Sequence, residues 1–148
     1  MSTYTQICYH VVFSTKGRQP TLKANRRAEL FRYIWGISKN RESHLYRISG
    51  AEDHVHILTS LHPSVSLANL VKDVKTGSSL WIKEESVFPM FSNWQDGYAA
   101  FTHSRQEIDG LIEYIKGQEE HDLRTTFAEE YRKLLEEARV EFDERYML

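Results

Sequence analysis

The stretch HLYRISGAEDHVHILTSL, residues 44–61, predicts the centre of the fold, because it has the pattern of two short strands and a turn. Apolar, β-branched and aromatic residues recur over about 43–49 and again over about 54–61, as is typical of strands. The segment SGAED between them supplies the glycine and the aspartate that suit a hairpin connection. The stretch therefore predicts a β-hairpin.

The second strand of this hairpin carries two histidines one residue apart. Since successive side chains of a strand point to opposite faces, His54 and His56 share one face, whereas Val55 and Ile57 share the other. Two adjacent imidazoles can bind one divalent ion. A lone His-x-His pair nevertheless more often caps a sheet edge or makes local hydrogen bonds, so the pair by itself leaves the structural and the metal-binding interpretations open.

Hydrophobic periodicity around the hairpin predicts six more elements. In chain order they are a strand in YTQICYHVVFST (4–15), a helix over about 22–39, a helix from about Ser66 to 85, a strand in YAAFTHS (98–104), a helix that begins after Ser104, and a last helix with Phe127, Tyr131, Leu134, Leu135 and Ala138 on one face. The order β-α-β-β-α-β with two appended helices is typical of an α+β, ferredoxin-like (RRM-like) fold. We expect an antiparallel sheet with helices on one face plus the C-terminal helices.

Length and composition indicate one folded domain. The 148 residues are 41% hydrophobic and 27% charged, which excludes a disordered or linker-like chain. Cys8 is the single cysteine, the start MSTYTQ is polar, and no apolar run approaches the roughly 20 residues of a membrane span, so we expect a cytoplasmic protein with no membrane contact. We expect a single domain over 1–148, with a core of about 4–121 and an acidic helical extension over 122–148.

The net charge of −2 is unevenly distributed along the chain. Residues 119–148 hold ten acidic and five basic residues, which leaves eleven acidic and fourteen basic residues in 1–118. The mildly basic body is compatible with an anionic partner such as nucleic acid. The acidic last helix has two interpretations: a cover over the active site or a dimer interface, or an ordinary solvated amphipathic helix.

The third predicted helix, RQEIDGLIEYIKGQEEH (105–121), adds polar groups beside its apolar stripe. At about 100° per residue, Tyr114, Gln118 and His121 form a second stripe on the flank of the helix. A tyrosine and a glutamine one turn apart in that position can both reach the sheet on which the helix packs. A boundary aromatic residue and a solvated glutamine are the structural alternatives.

Taken together, these motifs resemble the single-tyrosine HUH transposases of the insertion-sequence-200/605 group, which include the REP-associated tyrosine transposases. The match consists of DHVHIL for the His-hydrophobe-His strand and YIKGQ for the Tyr-x-x-x-Gln helix. It extends to YHVVFSTKGR, VKDVKTGSSLWIK and WQDGYAAFTHS, in the family's order and spacing, over about residues 4–135.

This resemblance implies a metal-dependent transposase that acts on single-stranded DNA or on DNA hairpins at element or repeat ends. Position by position, it implies that His54, His56 and Gln118 bind a divalent metal and that Tyr114 is the nucleophile. Cleavage would leave a 5′-phosphotyrosine and a free 3′-OH. The resemblance also implies a homodimer, in which Tyr114 serves the metal site of its own chain or that of its partner.

The chemistry of these side chains agrees with what the resemblance implies. Two imidazoles and an amide are neutral, so the ion keeps its positive charge for the scissile phosphate and the departing 3′ oxygen. Mixed nitrogen and oxygen ligands fit Mg²⁺ or Mn²⁺, whereas a structural Zn²⁺ more often recruits cysteine. A phenol with a pKa of about 10 needs the field of the ion, or a base, to become a good nucleophile.

Several further residues are candidates for the site or for DNA contacts. Asp53 is interpreted either as a turn residue or as an acceptor that orients an imidazole, and His121 either as a contact to metal or DNA or as a solvated helix end. His10 is expected to be a structural residue on the histidines' face. The candidates for phosphate contacts are Lys16, Arg18, Lys72, Lys75 and Lys83, with Ser78 and Ser79 as neutral helpers.

Three other functions fit part of the pattern. A domesticated relative would process chromosomal repeats without moving an element. A non-catalytic sheet that binds RNA or single-stranded DNA would carry exposed aromatic residues where the central strand carries His54 and His56, which argues against it. A structural metal protein would leave Tyr114 without a role.

Overall fold

A four-stranded antiparallel sheet forms the centre of the computed structural model, which describes residues 2–117, 126–143 and 145. Its strands are β1 (Cys8–Ser14), β2 (Leu45–Gly50), β3 (His54–Ser60) and β4 (Ala99–His103), in the spatial order β2-β3-β1-β4. The helices of the described residues are α1 (Ala24–Asn40), α2 (Leu67–Glu84), α3 (Ile108–Lys116) and α4 (Phe127–Glu137). The predicted α+β, ferredoxin-like order of elements is confirmed.

The two faces of the sheet follow from the alternation of side chains along β1 and β3. Val11 and Phe13 of β1 share an apolar cluster with Val55 and Ile57 of β3, and α1 and α2 cover this face. The opposite face is covered by α3 and α4. There, Cys8 and Leu58 pack with Ile108 and Ile115 of α3, whereas Val12, Ala99 and Phe101 pack with Phe127, Tyr131 and Leu135 of α4.

The register of β1 against its neighbours sets what lies side by side on the second face. Val12 pairs with His56 and Ser14 pairs with His54, while His10 pairs with Leu58. His10 is therefore a diagonal neighbour of His56 on one face of the sheet, close enough for the two rings to touch. Because α1 and α2 pack on the other face, α3 and α4 cover this one.

Local capping explains where two of the helices begin. The Ser66 hydroxyl accepts a hydrogen bond from the backbone N–H of Asn69 at 3.1 Å, which confirms Ser66 as the N-cap of α2. Ser104 and Glu107 form a reciprocal capping box at a 3₁₀ turn, Arg105–Glu107, that leads into α3. No helix of the described ranges is both long enough and apolar enough to cross a bilayer.

Gly36 and Gly50 should respond to alanine in opposite directions. A Cβ at Gly36, in α1, would meet no atom within 4 Å, so Gly36→Ala should stabilise the fold by about 0.5–1 kcal/mol through helix propensity. A Cβ at Gly50 would overlap the backbone oxygen of His54, so Gly50→Ala should cost about 1–3 kcal/mol. Urea unfolding measures both, and a Gly50→Ala variant as stable as wild type would contradict the hairpin geometry.

Candidate active site

His54 and His56 lie side by side on the second face of the sheet, and both side chains are completely buried, with an exposed fraction of 0%. Their ring centroids are 5.0 Å apart at an interplanar angle of 77°. Tyr114 of α3 reaches the same place, because its ring centroid lies 6.1 Å from that of His56 in an edge-to-face contact. The fold thus brings the tyrosine to the histidine pair of its own chain.

Each histidine of the pair uses its Nδ1 atom in a hydrogen bond to a neighbouring side chain. His54 Nδ1 lies 2.7 Å from Asp53 Oδ1, and His56 Nδ1 lies 2.8 Å from His10 Nε2. An imidazole that donates its Nδ1–H to an acceptor presents Nε2 as its lone-pair nitrogen. Asp53 and His10 are therefore placed to hold both histidines in the tautomer that binds a metal through Nε2.

The protonation state of His10 suits this role. Burial and, to a smaller extent, the nearby His103 together lower the pKa of His10 to about 4. At neutral pH the His10 ring is therefore uncharged, and its Nε2 can accept the hydrogen bond from His56. The structure gives His10, expected only to be structural, a specific contact with the pair.

Glu130 of α4 completes the cluster, and sequence reasoning missed it. Its side chain is 4% exposed; Oε1 accepts a hydrogen bond from the Tyr114 hydroxyl at 2.5 Å and lies 3.5 Å from His56 Nε2. One ligand atom from each of His54, His56 and Glu130 can be chosen so that all lie within 4.8 Å of one another. The sequence signal was a carboxylate at the third position after Phe127, inside the apolar stripe of the last helix.

The last helix forms the outer wall of the site. The Phe127 ring stacks on the His54 ring at a centroid distance of 4.1 Å and an interplanar angle of 14°. Phe127, Tyr131 and Leu135 are buried against β1 and β4, so the amphipathic face of α4 belongs to a core cluster. Of the two interpretations of this acidic helix, the structure supports a cover over the histidine pair.

Two of the predicted site residues, Gln118 and His121, lie outside the described residues. The described part of the tyrosine helix ends at Lys116, and Gly117 caps it with φ −87° and ψ 4°. Their assignment as metal ligand and possible metal or DNA contact stays a prediction. The geometry of the site is therefore built from the histidine pair, Tyr114 and Glu130.

The candidate phosphate contacts fall into two groups. Lys16 and Arg18 are exposed on a 3₁₀ turn that follows β1, at the end of the sheet where the Thr15 N–H donates to the Asp53 carbonyl oxygen at 2.9 Å. This turn is close to the histidine strand. The remaining five candidates, Lys72, Lys75, Ser78, Ser79 and Lys83, lie on α2, which covers the opposite face of the sheet.

Two residues of the α2 group already have partners inside the protein. The Lys75 ammonium donates to the carbonyl oxygens of Gln95 and Gly97 at 2.8 and 2.5 Å, and burial lowers its pKa although Asp96 raises it. The Ser78 hydroxyl is buried and accepts a hydrogen bond from Trp94 Nε1 at 2.9 Å. Both side chains are therefore engaged in contacts within the protein.

Comparison with known proteins assigns the family. The sequence profile described as "Transposase IS200 like" matches residues 3–118, which is most of the chain. The chain belongs to the IS200-like transposase family. Membership places it among transposases, which recombine DNA, and agrees with the resemblance seen in the motifs around His54 and Tyr114. No curated protein matches the sequence significantly.

Solved structures share the fold of this IS200-like transposase. A proposed transposase of Deinococcus radiodurans R1 is 22% identical, with a TM-score of 0.62 over 80% of this chain and 96% of that one. A REP-associated tyrosine transposase bound to a REP hairpin is 14% identical, with a TM-score of 0.57 over 79% of this chain and 72% of the other. At these identities the similarity establishes the α+β architecture.

Removal of the Phe127 ring should loosen the wall of the site. Phe127→Ala should lower the free energy of unfolding by about 3 kcal/mol, since it deletes a buried ring that stacks on His54. His54 and His56 should then react faster with diethylpyrocarbonate, and mass spectrometry measures the extent of their modification over time. Phe142→Ala removes a partly buried ring from the margin of the same cluster and should leave that reactivity unchanged. Equal reactivity in the Phe127 variant and wild type would contradict the proposed wall.

Proposed function

We propose that this family member is a metal-dependent transposase that cleaves and rejoins single-stranded DNA through Tyr114. The observation that carries the proposal is the position of the Tyr114 ring beside the buried His54–His56 pair of the same chain. Family membership and the match of DHVHIL and YIKGQ to the family's motifs support it. The candidate partner is single-stranded DNA or a DNA hairpin at an element or repeat end.

The proposed reaction exchanges one phosphodiester for another. The Tyr114 oxygen attacks the scissile phosphorus, the bond to the 3′ oxygen breaks, and a 5′-phosphotyrosine and a free 3′-OH result. The phenol loses one proton and the departing 3′ oxygen gains one. Rejoining reverses the exchange when a 3′-OH attacks the phosphotyrosine, so the number of phosphate ester bonds is conserved and no nucleotide is consumed.

The residues present fit a divalent ion. His54 and His56 present Nε2 lone pairs, and buried Glu130 Oε2 has no hydrogen-bond partner among the described residues. By resemblance, Gln118 is a third ligand. When bound, Mg²⁺ or Mn²⁺ would stabilise negative charge on the phosphate and on the departing 3′ oxygen.

The surroundings of Tyr114 leave room for a nucleotide. A cavity of about 580 Å³ opens beside the tyrosine, between β4, α3 and α4, and its lining includes His10, Phe101, His103 and Leu111. This volume lies within the range of ligand pockets. We propose that the nucleotide next to the scissile phosphate enters here, and that Lys16 and Arg18 contact the DNA backbone at the end of the sheet where Ser14 pairs with His54.

A hairpin substrate and a homodimer are the finer parts of the proposal. The related REP-associated transposase was solved with a REP hairpin, which supports a hairpin as the first substrate to test here. We propose a homodimer in which the Tyr114 ring, 6.1 Å from the His56 ring of the same chain, serves the site of its own chain. Sedimentation of the free protein and of its hairpin complex measures the oligomeric state.

Covalent capture of DNA tests the proposed nucleophile. Wild type with Mg²⁺ or Mn²⁺ and single-stranded DNA from the flanks of its own gene should form an adduct that survives a denaturing gel. Tyr114→Phe should form none, since it lacks the attacking oxygen, and Tyr4→Phe, which removes the hydroxyl of a tyrosine that is 90% exposed, should match wild type. His56→Ala should abolish cleavage and largely spare hairpin binding.

The outcomes separate the alternatives. Hairpin binding without any adduct from any flank would indicate a non-catalytic binding module. An equal adduct yield from Tyr114→Phe and wild type would show that another residue is the nucleophile. Cleavage of dispersed chromosomal repeats, with no activity on the flanks of its own gene, would indicate a domesticated relative.

A further inference from the structure

Glu130 is a buried carboxylate that lies between Tyr114, the proposed nucleophile, and His56 of the proposed metal site. Oε1 accepts the hydrogen bond from the Tyr114 hydroxyl and lies 3.5 Å from His56 Nε2. Oε2 is buried and has no hydrogen-bond partner among the described residues. A buried carboxylate is costly in free energy unless it is paired or bound to a metal, so its position calls for a compensating cation.

Among the described residues, the groups beside Glu130 include two potential metal ligands. The neighbouring side chains on β3 and β1 are the imidazoles of His54, His56 and His10, and the His10 ring is hydrogen-bonded to His56 at 2.8 Å. Candidate ligand atoms of His54, His56 and Glu130 lie within 4.8 Å of one another. Two imidazole nitrogens and a carboxylate oxygen are a donor set that Mn²⁺ accepts readily.

We propose that Glu130 is a further residue of the reaction site, which binds the ion through one oxygen and positions the Tyr114 hydroxyl through the other. This inference rests on the proposed function for the identity of Tyr114 as nucleophile. The carboxylate adds one negative charge to an otherwise neutral ligand set, so it strengthens ion binding. It also ties the nucleophile to the ion, because the same side chain contacts both.

A purely structural role for Glu130 makes different predictions. If the carboxylate only anchored α4 through Tyr114, its loss would change stability and leave the affinity for metal unchanged. If it only held Tyr114 away from DNA, its loss would increase adduct formation. Metal affinity and adduct yield therefore distinguish the proposal from both.

Titration of the protein with Mn²⁺ alone tests whether Glu130 binds the metal. Electron paramagnetic resonance measures the concentration of free Mn²⁺ at each step of the titration. Glu130→Ala should weaken binding at least about tenfold, the lower end of what loss of a partner in a metal site costs. Glu130→Gln should fall between that variant and wild type, because it keeps an oxygen donor and loses the charge. Glu136→Ala, which removes an exposed carboxylate of the same helix, and Tyr114→Phe should bind within twofold of wild type.

Circular dichroism confirms that each variant is folded. If Glu130→Ala does not fold, the near-isosteric Glu130→Gln decides the question, since only a metal-binding role predicts its weaker affinity. Wild-type affinity for Mn²⁺ in a folded Glu130 variant would overturn the proposal.

Adduct formation at saturating Mn²⁺ tests whether Glu130 positions the Tyr114 hydroxyl. Glu130→Ala should then still lower the adduct yield at least tenfold, because the Tyr114 hydroxyl loses its hydrogen bond to Glu130. Glu136→Ala should match wild type. An increased yield would overturn the positioning role. If wild type itself forms no adduct, the proposed function fails, and the Mn²⁺ titration alone decides whether Glu130 belongs to a metal site.

Discussion

The antiparallel pairing of β1 with β3 is the constraint on which the site depends. It sets Val12 opposite His56 and Ser14 opposite His54, and so brings His10 to the histidine pair. Because side chains alternate, a slip of one residue would turn both histidines toward α1 and α2. The apolar residues of the other face, such as Phe13 and Ile57, oppose that slip, since it would expose them on the polar side. A hydrophobic core on one face thus fixes polar groups on the other.

The second face is polar at its centre and apolar at its margins. Clusters around Ile115 and Phe127 flank the histidines, and they hold α3 and α4 against the sheet. The ring of Tyr114 and the carboxylate of Glu130 enter the polar centre from these two helices. His54, His56 and Glu130 are buried, so the interactions among these three groups are stronger than they would be at the surface.

Much of this arrangement could be predicted from the sequence, because its signals are local. The alternation in the hairpin placed His54 and His56 on one face, and helical spacing placed Tyr114 on the flank of a packed helix. Helical spacing places Glu130 inside the apolar stripe of the last helix but does not identify what its carboxylate contacts. Its partner Tyr114 is sixteen residues away in the sequence, and no periodicity relates a carboxylate on one helix to a hydroxyl on another. The same applies to the contact between His10 and His56, which spans forty-six residues.

The lysines and serines of α2 show a second limit of prediction from sequence: the pattern indicated a function but not the position of the helix in the fold. Their types and spacing suited phosphate contacts, yet α2 packs on the face that lacks the histidines, and Lys75 and Ser78 are engaged within the protein. Residue spacing predicts which residues share one face of a helix, but it does not predict on which face of the sheet the helix packs.

The amino-acid sequence by itself determined the order of elements, the pairing of the two histidines on a strand and the family, because each depends on patterns within short segments. Only the tertiary structure decided which groups surround the pair. Contacts between elements depend on how the helices pack on the sheet, and this packing is set by the whole core rather than by any one segment.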